Sequence, residues 1–152
     1  MPSFHRSIRK RQRSNPKFYY FDLGVQRALG RSLGLPISPQ TSIYGEAFEQ
    51  FIILEIFRIQ DYMQLDWRLS YLRTKDDAEI DLIIERPGMP IALIEIKSTS
   101  RLTPDHVSGL KRFLPDFKKR EAFCLSQDPV PRKIDGIHCL PWMQGFQELG
   151  LS

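Results

Sequence analysis

Three side chains in this chain have the types and spacing to do chemistry together: Asp81, Glu95 and Lys97. They fall in Asp76–Ser98, DDAEIDLIIERPGMPIALIEIKS, which reads as two β-strands around a Pro-Gly-Met-Pro turn. Strand side chains alternate between faces, so Glu95 and Lys97 share one face of the second strand, ~6.7 Å apart along it. Symmetry about Gly88 pairs Ile83 with Leu93, Asp81 with Glu95 and Glu79 with Lys97. Facing residues on adjacent strands have Cβ atoms ~5 Å apart. Two carboxylates at that distance repel unless one is protonated or a cation lies between them. Hard oxygen ligands suit Mg²⁺ or Mn²⁺, and magnesium takes one or two carboxylates plus waters. An ammonium beside such an ion can hold a water and stabilise charge on a phosphorane-like transition state. The set is therefore an apparatus for metal-assisted phosphodiester hydrolysis. The plainer alternative is an ion-paired sheet face in which Lys97 neutralises Glu95 and Glu79.

A fourth acid comes from further upstream. Thr41 or Ser42 can cap a helix over about Tyr44–Gln60, whose Phe48, Phe51, Ile52, Ile53, Leu54, Ile56 and Phe57 are apolar nearly all round. Such a helix is expected to be buried by more than one neighbour, and a buried acid needs a partner or a cation. Glu49 is the candidate to complete the metal shell or bind its waters. Glu55 on the same helix, Arg73 at the end of one strand and Glu79 at the start of the next have no role assigned from sequence. One simple reading pairs one of the helix acids with Arg73.

The remaining elements follow from periodicity and breakers. Lys17–Phe21 is aromatic and β-prone, and Asp22 can cap a short helix through Leu29. Leu65–Arg73 alternates as a strand, and a tight turn at Thr74–Asp77 puts Arg73 opposite Glu79 and Tyr71 opposite Asp81. Thr103-Pro104 starts a helix with Val107, Leu110, Phe113, Leu114 and Phe117 as its core stripe. Glu121–Ser126 and Gly136–Leu140 read as strands, Asp128–Asp135 as a loop, and Trp142–Leu149 as a closing helix. Helix, three meandering strands, helix and further strands make an α/β chain with a central mixed sheet flanked by helices.

Composition sets the class. The chain has 152 residues, 41% apolar and 26% charged, enough for one domain with a core. No apolar run reaches the ~18 residues of a membrane span. No apolar stretch follows the basic N-terminus, so a secretory signal is not expected, and a cytoplasmic location is. Cys124 and Cys139, with His5, His106 and His138, lack zinc-type spacing. The net charge of +4 is uneven: Arg6, Arg9, Lys10, Arg11, Arg13 and Lys17 make residues 1–20 wholly basic, and the rest of the chain sums to −2. Residues 1–16 are thus expected to be a flexible basic lead-in to a single domain over 17–152, and the basic arm can track DNA phosphates.

The ordered motifs resemble the PD-(D/E)XK nuclease superfamily. The resemblance implies a restriction-endonuclease-like fold with an αβββαβ core. It also implies a catalytic set of Asp81, Glu95 and Lys97, aided by Glu49, with Asp81, Glu95 and Glu49 as metal ligands. More narrowly, KFYYFDLGVQRAL, YGEAFEQFIILEI, YLRTKDDAEIDLII and IALIEIKSTS resemble the C-terminal domain of prokaryotic AAA-type ATPases, a domain of unknown function related to these nucleases. That likeness covers about Lys17 to Trp142. It implies a divalent-metal-dependent domain that hydrolyses DNA, or a non-catalytic module of the same fold that binds DNA or protein and serves an ATPase. The chain departs from the pattern twice. It has no G-x-x-x-x-G-K-[ST], so no ATPase module is expected on it. The helix after E-x-K reads HVSGLKRF, without the Q-x-x-x-Y pair of RecB-like relatives.

Overall fold

In the computed structural model of the protein, residues 1–4 and 15–152 are described. The elements are α1 (Leu23–Leu29), α2 (Ser42–Tyr62), β1 (Arg68–Arg73), β2 (Glu79–Glu85), β3 (Ile91–Lys97), α3 (Pro104–Lys111), a 3₁₀ turn (Leu114–Asp116), β4 (Arg120–Ser126), β5 (Arg132–Ile134), β6 (Ile137–Pro141) and α4 (Trp142–Leu149). The strands form one six-stranded sheet in the order β1-β2-β3-β4-β6-β5. β3, β4 and β6 run parallel, and the β1–β2, β2–β3 and β5–β6 pairings are antiparallel. The sheet is mixed, as the sequence implies, because the hairpin turns permit antiparallel neighbours while α3 carries the chain across to a parallel one. β5 is a strand within the stretch expected to be a loop. Arg132 and Lys133 make it charged and its two-residue Asp135-Gly136 turn, both residues at positive φ, folds it back on β6.

Caps and turns sit where the residue types place them. The Asp22 carboxylate accepts from the Val25 N–H, and the Thr41 hydroxyl accepts from the Tyr44 N–H at 3.3 Å. Thr103 precedes Pro104 at the head of α3, and the His106 ring nitrogen Nδ1 accepts from the Thr103 N–H at 3.0 Å. At the β2–β3 turn Gly88 adopts φ 73°, a conformation that excludes most other residues. The Arg86 guanidinium closes that turn by donating to the Pro90 carbonyl at 2.8 Å and pairing with Glu121 on β4.

Alternation along the strands splits the core in two. Ile80, Ile83, Leu93, Ala122 and Cys124 pack with Val107, Leu110, Phe113 and Phe117 on the α3 face. Leu82, Ile84, Ala92, Ile94, Phe123 and Leu125 pack with Ile52, Ile56, Phe146 and Leu149 on the face covered by α2 and α4. Each buried aliphatic or aromatic side chain contributes roughly 1.5–3 kcal/mol relative to exposure. α2 is not buried all round as its composition suggests: Phe57 is 55% exposed, and Ile43 is exposed as well.

At the N-terminus the described residues 1–4 are tied to the sheet. The Phe4 N–H donates to the Tyr71 carbonyl, Ser3 bridges Tyr71 in parallel, and the Phe4 ring is buried against Phe117. An apolar anchor at position 4 ties the chain start to β1. Arg6, Arg9, Lys10, Arg11 and Arg13 lie outside the described residues. Lys17–Phe21 forms no strand. Among the described residues no helix is long and apolar enough to cross a membrane.

One contact sets the tolerance of the α4–β4 interface. A Cβ on Gly145 would lie 2.1 Å from Leu125 Cδ2, and Leu125 is fully buried. Gly145→Ala is expected to lower stability by about 1–3 kcal/mol through overpacking, despite a helix-propensity gain of about 1 kcal/mol. Urea denaturation checks this, and an unchanged midpoint would show that the interface can yield.

Candidate active site

The site lies where β2 and β3 part. Their ladder has three residue pairs, Ile84–Ala92, Ile83–Leu93 and Leu82–Ile94, in the register expected from symmetry about Gly88. One step further, where Asp81 comes level with Glu95, a side chain replaces the backbone ladder. The Ile96 N–H donates to Asp81 Oδ2 at 2.8 Å. On the other edge of β2, Leu72 pairs with Ile80 and Ser70 with Ile83, so Tyr71 alone opposes both Asp81 and Leu82. That is a β-bulge, not the simple Tyr71–Asp81 pairing expected from the turn. Its effect shows in the core: Ile80 and Ile83 pack on the same face, three residues apart, which strict alternation forbids. A bulge of this kind re-aims a side chain and often adjoins a functional site. Here it turns the Asp81 carboxylate toward the backbone of β3.

The electrostatics of the four expected residues are linked. Asp81 is buried, and burial is the main force raising its carboxyl above the ordinary range, followed by the charges of Glu95 and Glu49. The Ile96 hydrogen bond and the Lys97 charge oppose that rise. Glu95 is also raised, by burial first and by Glu79 and Glu49, while Lys97 pulls it down. Lys97 Nζ lies 2.6 Å from Glu95 Oε1, whereas Glu95 Oε2 is buried without a hydrogen-bond partner. Burial would lower Lys97, but Glu95 and Asp81 outweigh it and the ammonium is held above its usual range. Asp81, Glu95 and Lys97 are therefore brought together. Glu49 is close enough for its charge to act on both other acids.

Glu49 itself has partners that periodicity did not suggest. Lys17 Nζ lies 3.3 Å from Glu49 Oε1, and the Tyr19 hydroxyl donates to the same oxygen at 3.2 Å. Lys17 also contacts Glu79 Oε1 and stands 5.1 Å from the Tyr71 ring centroid. Glu79 thus pairs with Lys17, and more distantly with Arg73 at 3.8 Å, rather than with Lys97. The ladder ends before that pairing could form. Arg73 also bonds Asp77, and Glu55 pairs with its own helix neighbour Arg58, so neither belongs to the central set. Lys17 and Tyr19 were legible only as an alternation: two residues apart in an extended segment, they project to one side.

Residues 44–144 match a domain of unknown function, DUF4143. The chain belongs to this family. That region runs from the first turn of α2 to the start of α4, and so contains Glu49, Asp81, Glu95 and Lys97 but not Lys17 or Tyr19. Among curated proteins, the chain is similar to uncharacterized protein Mb2031c of Mycobacterium bovis and uncharacterized protein Rv2008c of Mycobacterium tuberculosis. Each is 34% identical over 113 residues, covering 74% of this chain and 24% of the relative. The chain thus spans about a quarter of the length of these relatives. No solved structure matches it.

Chemically, burial and mutual repulsion leave Asp81 and Glu95 two carboxyl groups that a proton or a cation would relieve. Among the described residues there is no group of three His, Cys, Asp or Glu side chains placed as a metal cage. A Mg²⁺-type ion needs less, one or two carboxylates with water filling the rest. Asp81 and Glu95, with the orphaned Oε2, fit that smaller set.

The raised Asp81 carboxyl has a measurable sign. In the folded chain it holds its proton to higher pH than the ordinary 3.8 of the unfolded chain. Stability is therefore fullest below that value and falls as pH climbs through the raised folded one. Asp81→Asn keeps an oxygen for the Ile96 N–H and removes the charge. In chelator at neutral pH it is expected to be more stable than wild type by about 1 kcal/mol or more. The difference should vanish in acid, as urea titrations across pH would show.

Proposed function

We propose that this DUF4143 chain is a divalent-metal-dependent, nuclease-like domain of the PD-(D/E)XK type, hydrolysing DNA phosphodiesters. The observation that carries the reading is the Asp81 carboxylate, set by a bulge against β3 beside Glu95 and Lys97. The run α2-β1-β2-β3-α3-β4 has the αβββαβ order of that fold, and Glu49 stands on the first helix of the run, as in the superfamily. DUF4143 is commonly found in AAA-ATPase-associated proteins, consistent with a role beside an ATPase module.

In this reading Asp81 and Glu95 hold Mg²⁺ or Mn²⁺, and Glu49 binds the ion or its waters. When bound, the ion supplies Lewis acidity to a phosphoryl oxygen and lowers the pKa of a water. Glu95 holds Lys97 by one oxygen, which fixes the ammonium at the rim of the site, 36% exposed. From there Lys97 positions a water and places positive charge where the phosphorane becomes negative. Asp81 is fixed by the Ile96 N–H, so its free oxygen is preorganised. Asp81 and Glu95 are themselves buried, which strengthens each of these interactions.

The second reading is a non-catalytic module of the same fold that binds DNA or protein for an ATPase. It is favoured by the ion pairs already in place, since Lys17 satisfies Glu49 and Glu79 while Lys97 satisfies one oxygen of Glu95. Nuclease assays on plasmid and short duplexes in Mg²⁺ or Mn²⁺ separate the two. Wild type should cleave, and Asp81→Asn and Lys97→Ala should each lower the rate at least about 100-fold, the usual scale for such groups. Cleavage equal in all three would reveal a contaminant. DNA retention without cleavage, insensitive to Asp81→Asn, would favour the second reading.

A further inference from the structure

The superfamily pattern does not include the cation that sits deepest among these acids. Lys17 precedes residues 44–144, the part of the chain matched to the family. Its side chain is 23% exposed, an uncommon state for a lysine, and it lies among acids from two elements. Nζ contacts Glu49 Oε1 of α2 and Glu79 Oε1 of β2, and it faces the Tyr71 ring at 5.1 Å. Its charge also acts on Asp81. The segment is anchored on both sides: the Lys17 N–H donates to the Met1 carbonyl at 2.9 Å, and the Tyr71 hydroxyl donates to the Asn15 carbonyl. Tyr19 bonds the same Glu49 oxygen as Lys17 does. Beside this cluster, the buried Glu95 Oε2 has no hydrogen-bond partner among the described residues.

An ammonium on a tethered strap can neutralise Glu49 and Glu79 but leaves Glu95 unsatisfied. A divalent ion at Asp81 and Glu95 would satisfy that oxygen and would draw on Glu49 as an acceptor for its waters. We propose that Lys17 is a member of the site, the resident counter-cation that holds Glu49 in the metal-free protein and competes with a divalent ion for it. The inference rests on the metal-site reading above. Pairing Glu49 and Glu79 with Lys17 offsets part of the repulsion among the acids of the site. Binding of the ion then exchanges one cation for another at Glu49, so affinity is set partly by a residue outside the family region.

The test is Mn²⁺ binding to the full chain, read by the EPR signal of free Mn²⁺ and by calorimetry, with no substrate present. Lys17→Met keeps the apolar stem and removes the charge. It should bind Mn²⁺ about tenfold tighter than wild type, the scale of one nearby charge in a partly buried site. Lys17→Arg should stay near wild type. The gain must require Glu49: in a Glu49→Gln background, Lys17→Met should give no gain. Tyr19→Phe, a milder change should Lys17→Met not fold, should tighten binding in the same direction by less. In chelator Lys17→Met should melt at lower temperature, and Mn²⁺ should raise its melting temperature more than that of wild type. Equal or weaker binding by Lys17→Met, with wild-type binding abolished by Asp81→Asn, overturns this inference alone. A gain that persists without Glu49 also overturns it, because it reflects only the long-range field. No Mn²⁺ binding by any variant, wild type included, overturns both this inference and the metal reading.

Discussion

Two carboxylates kept out of water at the parting of β2 and β3 set the terms for the rest of this structure. Asp81 and Glu95 each resist ionisation because burial removes their hydration and because each lies in the field of other acids. Left alone, such a pair drives the strands apart or takes up protons. The local structure answers with directed groups. The bulge turns Asp81 toward the Ile96 N–H, Lys97 grips one oxygen of Glu95, and Lys17 reaches across to Glu49 and Glu79. Each answers part of the demand and none answers all of it, and Glu95 Oε2 is left without a hydrogen-bond partner among the described residues.

Holding unfavourable charges in place requires a scaffold that does not relax around them. The two faces of the sheet supply it. On one side Phe113, Val107 and Leu110 are fully buried against Leu93 and Ile83, and on the other Ile52 and Ile56 lie against Leu82 and Ile94. Close-packed side chains transmit strain instead of dissipating it. The hairpin is clamped at its far end by Arg86, bonded to the Pro90 carbonyl and to Glu121. With that end closed and both faces packed, the strands part only at the Asp81 end, where polar side chains take over from backbone pairing. Preorganisation of the acids is thus a property of the apolar core as much as of the polar residues.

What could be read from the sequence divides along the same line. Alternation gave the strands, the turn chemistry gave the Gly88-centred register, and the type and spacing of Glu95 and Lys97 singled out the site. These are local patterns, and local patterns survive in one dimension. The bulge does not. Nothing in EIDLIIE marks Asp81 and Leu82 as two residues opposite one, because that depends on how β1 and β3 compete for β2. Lys17 was counted with a basic arm for a similar reason: its partners lie 32 and 62 residues away, and charge alone does not say whether a lysine is solvated or pinned. The exposure of Phe57 belongs with these, since an apolar helix composition does not say which side will be left uncovered.

The ion-pair and metal readings of the site can be weighed on the same charges. If the cluster were only structural, its cations should meet its acids. Among the described residues, Lys17 and Lys97 stand against four acids, Glu49, Glu79, Asp81 and Glu95, with Arg73 touching Glu79 only at 3.8 Å. Asp81 receives one backbone hydrogen bond and no direct ion pair among the described residues. A purely structural pair gains nothing from keeping Asp81 an acid: an asparagine would accept the same Ile96 N–H without the cost of a buried charge. An acid at a position where an amide would be the easier residue favours the proposed reading, in which a ligand needs the charge. In the metal reading proposed above that ligand is a hard divalent ion, satisfied by two carboxylates and water, and a partner for Glu95 Oε2 is what it would add.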